Sequence, residues 1–218
     1  MKALFHLAAF GLYAWTCYAD YHIVSGKYLP IPNQFFSKFV WLTLIDLYCQ
    51  LVYHFIGFFL TLFSNRRHPI FDYVARAIIG PIGVSVTVLF WALYLTDPGT
   101  LAHDEMGRKI LEMKWFNHGL HTLPIITAHL DLLFWNHSNF SRSAILKGIG
   151  TFITLYLIDI HYVYYSVGFW AYPILGELPP PFRLLFIVVC TFVVFLSYLW
   201  LSLINSFINP DRKKSKKN

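Results

Sequence analysis

The chain has 218 residues, of which 57% are hydrophobic, 19% aromatic and only 13% charged. An average soluble domain is about 25% charged and less apolar, so this composition excludes an ordinary soluble protein and specifies an integral membrane protein. The net charge of +6 does not indicate nucleic acid as a partner, because the basic residues gather where apolar stretches end rather than along one face.

A membrane span takes about 20 mostly apolar residues. Six stretches qualify, roughly 3–19, 36–63, 76–96, 115–135, 145–168 and 183–207. They predict an all-α polytopic transmembrane helix bundle, with a single domain over 1–208 and a basic cytoplasmic tail over 209–218. In the first stretch, Lys2, the apolar run and Cys17-Tyr18-Ala19 also fit a cleaved signal peptide. The run is long and aromatic for such a region, which favours a retained span. The second stretch is long enough to tilt or to extend past the lipid. Pro81, Pro124 and Pro173 sit in or beside spans, where kinks are tolerated if neighbours satisfy the freed carbonyls. Cys17, Cys49 and Cys190 fall inside apolar runs, with neither a disulfide framework nor a metal-ligand spacing.

The connecting segments predict the orientation. Lys2, Arg66, Arg67, Arg76, Arg142, Lys147, Arg212, Lys213, Lys214, Lys216 and Lys217 fall on one side. The other side carries Lys27, Lys38, Arg108, Lys109, Lys114 and Arg183, together with Asp20, Asp97, Asp104, Glu105, Glu112 and Glu177. The positive-inside rule therefore places both termini in the cytoplasm. Two glycosylation sequons, Asn136-His137-Ser138 and Asn139-Phe140-Ser141, then lie in a cytoplasmic loop and carry no sugar. Lys214 and Lys216 match a dilysine signal for retrieval to the endoplasmic reticulum, or else a basic stretch drawn to anionic lipid.

Two polar clusters interrupt the apolar spans. Thr43, Asp46, Gln50 and His54 are spaced by three, four and four residues, so in a helix they share one face. Trp115-Phe116-Asn117-His118-Gly119-Leu120-His121 places two histidines and an amide in the fourth span. Burying such groups in hydrocarbon is costly, so they face the bundle interior and mark a candidate functional site. Thr43 and His121 each lie six or seven residues inside the non-cytoplasmic surface, ~10 Å at helical rise. Asp159 and His161 reach a similar depth from the opposite direction.

A threonine hydroxyl is a poor nucleophile alone. An imidazole that takes its proton during attack and returns it to the leaving alcohol converts it into one. Asn117, Asp46 and Asp159 are candidates to fix the imidazole tautomer, with His118 as a further supporting residue. Each also has a structural reading. A membrane threonine often bonds its own backbone, and Asp46 and Asp131 suit interhelical hydrogen bonds. A metal site built from His118, His121, His129 and Asp131 is the competing chemistry. It lacks the metalloprotease helix motif, and His129 is about two turns too deep to join the other two. No glycine-rich phosphate loop is present, and acyl transfer through a hydroxyl needs no metal or organic cofactor.

Several segments resemble one known family. Trp41-Leu42-Thr43-Leu44-Ile45-Asp46-Leu47, Trp115 through Thr122, and Trp170-Ala171-Tyr172-Pro173 are similar to those of the androgen-induced membrane proteins, the family that includes the androgen-dependent regulator of tissue factor pathway inhibitor. Gly80-Pro81-Ile82-Gly83-Val84, followed by Phe90-Trp91, resembles that family's third span. The similarity covers roughly residues 35–175, and the first and last spans match only in character. The resemblance implies a multi-span hydrolase of fatty acid esters of hydroxy fatty acids, with Thr43 as nucleophile and His121 as the catalytic histidine. It also implies residence in the endoplasmic reticulum or the plasma membrane, with a lipid as the partner molecule. A non-enzymatic membrane regulator or adaptor is the alternative function, since some family members are known for regulatory effects. A small transporter has less support, because no internal repeat relates the two halves.

Overall fold

The computed structural model describes residues 1–23, 29–63, 68–102, 104–135, 137–138 and 140–208. Lys27, Arg66, Arg67, both sequon asparagines and the basic tail with its dilysine pattern lie outside the described residues. The regular elements within them are all helical. They are α1 (Lys2–Ile23), a 3-10 turn (Phe35–Val40), α2 (Leu42–Phe63), α3 (Pro69–Val74), a π turn (Ala75–Ile79), α4 (Gly80–Thr96), a second 3-10 turn (Pro98–Leu101), α5 (Glu105–Glu112), α6 (Lys114–His121), α7 (Leu123–Phe134), α8 (Arg142–Val167), α9 (Pro173–Glu177) and α10 (Pro180–Ile208).

Four helical stretches among the described residues are long and apolar enough to cross a membrane: α2, the continuous run Pro69–Thr96, α8 and α10. Helix α1 and the α6–α7 pair pack beside them. Many large apolar side chains face outward, among them Phe55, Phe59, Leu155, Ile158, Leu184 and Trp200. Such extended apolar surface is a liability in water and the ordinary outer face of a protein in lipid. The chain is therefore an all-α membrane bundle.

Helix α4 is its axis. From Gly80 to Thr87 every residue is buried, as expected of a helix that is apolar all round. It packs chiefly against α10 and α7. Its start is irregular for a local reason: Pro81 has no N–H to give back along the helix, and its ring crowds the preceding turn. The chain widens there into the π turn, a bulge suited to relieve such a clash. Gln50 Nε2 of α2 donates to the Ile79 carbonyl at 3.2 Å, so the irregular stretch is tied to a neighbour.

The fourth predicted span is two helices rather than one. Pro124 deprives the Leu120 carbonyl of its helical donor, and α6 ends at His121, with Thr122 as the joint (φ −117°, ψ −39°). The second stretch also differs from the expectation of a helix from about 36. Helix α2 starts at Leu42, after the 3-10 turn and an extended Trp41. Thr43 is therefore the second residue of a helix rather than a group about two turns into it.

Two buried polar clusters hold the ends of the bundle. At the predicted non-cytoplasmic end, Lys38 Nζ donates to Asp20 Oδ2 and to the Tyr48 hydroxyl at 2.7 Å, with both ionic side chains fully buried. This joins α1, the first 3-10 turn and α2. At the opposite end, His137 sits between Asp72 (2.9 Å) and Asp131 (2.5 Å). Tyr53 donates to Asp131 at 2.9 Å, and Trp135 Nε1 to Asp72 at 2.9 Å. Beside them His6 and His54 share a hydrogen bond between their Nδ1 atoms, 3.0 Å apart.

Candidate active site

The stripe predicted on α2 is buried as a helical face requires, but it serves three different places. His54 joins the cluster around Asp131 and His137 through His6. Asp46 and Gln50 bond to each other at 3.1 Å in the middle of the bundle. Thr43 alone opens into a large cavity. That cavity measures about 210 Å³ and is walled by the start of α2 and by α4, α5, α6, α8 and α10. Leu42, Ile82, Val86, Phe152, Ile187 and Val194 make it overwhelmingly apolar. Its few polar groups are Thr43, Asn117, His121, Tyr156, Tyr172, Cys190 and Thr191. An apolar chamber with a few convergent polar groups is the ordinary form of a small-molecule site.

The structure thus brings Thr43 and His121 to one chamber. It also orients the histidine. Ending α6 at His121 leaves the ring beside its own last turn, where Nδ1 lies 3.2 Å from the Asn117 carbonyl. A carbonyl only accepts, so Nδ1 carries the proton and Nε2 is the basic nitrogen. The ring is stacked face to face on Phe90 of α4, with centroids 3.4 Å apart, and is 5% exposed. A neutral imidazole held with Nε2 as acceptor is the form a general base needs.

Asn117 also lines the cavity, and its side chain donates to the Leu111 carbonyl, tying α6 to the end of α5. Its contribution to His121 comes from the main chain, because the accepting atom is its carbonyl oxygen. His118 faces away. It is exposed, bonds Thr122 Oγ1 through Nδ1 at 2.9 Å, and packs on Trp91. Asp46, with 1% exposure, is not part of the cavity wall. Asp159 and His161 do not line it either. His129 bonds the Ile125 carbonyl at 2.7 Å and accepts from Trp200 at 2.9 Å. It therefore does not join His118 and His121, and each of the three rings serves a different part of the bundle.

Three functional candidates were not singled out by sequence. Phe90 is one; its stack on His121 crosses from α4 to α6. Tyr172 and Tyr156 are the others. Both line the cavity with Thr43, and the Tyr156 hydroxyl donates to the Val40 carbonyl at 3.1 Å. Tyr172 precedes Pro173 in the segment after α8, where Gly168 (φ 70°) ends the helix in a left-handed turn. This turn sends the chain back over the cavity. The only sequence signal for Tyr172 was its place in a segment similar to the family's, and nothing local distinguished it among fourteen tyrosines.

The model of the FAR-17a/AIG1-like proteins matches residues 1–206. The chain is 28% identical to human androgen-induced gene 1 protein over 145 residues, 65% of this chain and 59% of the relative. That match spans less than two thirds of the human protein's length. It is 24% identical to the mouse androgen-dependent TFPI-regulating protein over 217 residues, covering 92% of this chain and 94% of the relative. It is 25% identical to a UPF0641 membrane protein of Schizosaccharomyces pombe over 190 residues, covering 84% of this chain and 82% of the relative. No solved structure matches the chain.

Proposed function

The chain belongs to the FAR-17a/AIG1-like family, and from that premise we propose that it is a membrane-embedded lipid-ester hydrolase acting on fatty acid esters of hydroxy fatty acids. The observation that carries the reading is the placement of Thr43 and His121 on the wall of one apolar cavity of about 210 Å³. A branched fatty acid ester has its ester in midchain, so it suits a chamber sunk below the headgroups and lined by hydrocarbon.

Thr43 Oγ1 adds to the ester carbonyl carbon as Nε2 of His121 takes the hydroxyl proton. The C–O bond to the alcohol arm then breaks, and the imidazolium returns that proton to the departing oxygen. A water repeats the sequence on the acyl-threonine: His121 accepts its proton, the acid leaves, and Thr43 regains its hydrogen. Residence in the endoplasmic reticulum, with the plasma membrane as alternative, belongs to the same proposal. The name of the mouse relative, a TFPI-regulating protein, supports the second reading, a non-enzymatic regulator.

The test is hydrolysis of a branched fatty acid ester by purified protein in detergent, with Thr43→Ala and His121→Ala beside the wild type. The expected result is turnover by wild type that both substitutions abolish. A folded wild-type protein with no turnover on a panel of lipid esters would favour the regulator.

A further inference from the structure

Acyl transfer through Thr43 places negative charge on the former carbonyl oxygen. In an apolar chamber that charge needs a preorganised donor. We propose that the Tyr172 hydroxyl, on the cavity wall with Thr43, is the oxyanion donor of this site. This inference rests on the hydrolase reading above.

Three observations point to Tyr172. It lines the same cavity as Thr43, so its O–H is one of the few donors in the chamber where a carbonyl attacked by Thr43 develops charge. Tyr156 is its neighbour, but the Tyr156 proton is already committed to the Val40 carbonyl at 3.1 Å. A hydroxyl has one proton to give, so of the two phenols Tyr172 is the one able to donate to a substrate. Burial, the largest influence on Tyr172, pushes its phenol above the usual tyrosine range, so the group stays a donor.

The covalent sequence is unchanged by this role. Tyr172 keeps its proton throughout and gives only a hydrogen bond, which is strongest while the tetrahedral oxygen bears charge. Two other polar side chains of the wall serve less well. The Asn117 amide is engaged by Leu111, and Cys190 is a weak donor.

The experiment compares wild type, Tyr172→Phe and Tyr156→Phe in detergent. It measures kcat and KM on the branched ester, and the affinity for two long-chain ligands. One is an alkyl trifluoromethyl ketone, which forms a tetrahedral adduct with a hydroxyl. The other is a non-hydrolysable ether with the shape of the ester. Tyr172→Phe is expected to lower kcat by about 10²–10³-fold, the usual effect of losing one oxyanion donor, with KM little changed. Ketone affinity falls in parallel while ether affinity holds, and Tyr156→Phe loses far less activity. Undiminished kcat in Tyr172→Phe overturns the assignment while leaving the hydrolase reading intact. Equal loss of ketone and ether binding overturns it in favour of a packing role. Wild-type protein without turnover overturns both readings together.

Discussion

The imidazole of His121 lies flat on the ring of Phe90, with centroids 3.4 Å apart and planes within 3° of parallel. Face-to-face stacking is less favourable than offset or edge-on contact, so orientation is what this pair contributes. The stack fixes the plane of the imidazole, and the Asn117 carbonyl then fixes which nitrogen carries the proton. Phe90→Leu keeps an apolar filling but frees the ring to tilt. It is expected to lower kcat about tenfold, or about 1.4 kcal/mol of barrier. Its stability cost should stay below the ~3 kcal/mol at which Phe→Ala losses begin. Steady-state kinetics beside thermal unfolding separate the two, and an unchanged kcat would leave the stack without a role in the site.

The pair Lys38–Asp20 is fully buried, and its value depends on both members being present. Asp20→Asn removes the carboxylate that faces the buried Lys38 ammonium and should cost about 3–5 kcal/mol. The double substitution Asp20→Leu with Lys38→Met removes both charges and should recover most of that loss. Thermal unfolding in detergent reads this directly. A double variant as unstable as the single one would show that something other than the pair is being lost.

His137 lies in the connection between α7 and α8, outside the spans. Burial opposes its charging, yet the carboxylates of Asp131 and Asp72 outweigh burial and raise its pKa above the ordinary histidine value. Both of its ring nitrogens face carboxylate oxygens, which fits an imidazolium. His6, whose Nε2 is 4.0 Å from Asp131, and Tyr53, which donates to it at 2.9 Å, also face that carboxylate. A raised folded pKa stabilises fully below the unfolded value of about 6.5 and loses that contribution as pH climbs through the folded value. The unfolding temperature should therefore fall as pH rises above the ordinary histidine value of about 6.5. His137→Gln should begin lower and show a flatter profile. Parallel profiles for wild type and variant would assign the pH dependence to other groups.

Gly57 is where α2 lets α1 approach. A Cβ there would stand 2.6 Å from two atoms of the His6 ring. That ring is fully buried and bonded to His54, so it has nowhere to move. Gly57→Ala should destabilise by about 1–3 kcal/mol through overpacking. Gly11→Ala is the control, since an added Cβ meets nothing there and alanine is the better helix former by about 1 kcal/mol. Similar melting points for the two variants would argue against a tight crossing.

Much of this molecule was legible in its sequence. Composition alone gave the membrane class. Length and hydropathy placed the helices to within a few residues, except where local chemistry intervened: the 3-10 turn before Leu42 and the break before Pro124. Pro124 was visible as a kink, but whether it bends or splits a helix depends on what receives the freed carbonyl. The burial of Asp46, Gln50 and His54 followed from their spacing. Their lack of a common destination did not, because His54 reaches His6 of α1 and Gln50 the Ile79 carbonyl, while Asp46 bonds Gln50 on its own helix.

Periodicity and depth are local properties of a chain. They placed Thr43 and His121 at one level on inward faces, and the cavity joins them as that level suggested. Rotation and separation of helices are not local; they follow from ridge and small-residue packing across the whole bundle. Only that packing decided that His121 rests on Phe90, that His118 turns away, and that Tyr172 lines one cavity with Thr43. It also decided that His6, Asp72 and His137, far apart in sequence, gather with Asp131 into one buried cluster. A buried polar group must find a partner. The sequence states that obligation, and tertiary structure alone determines who meets it.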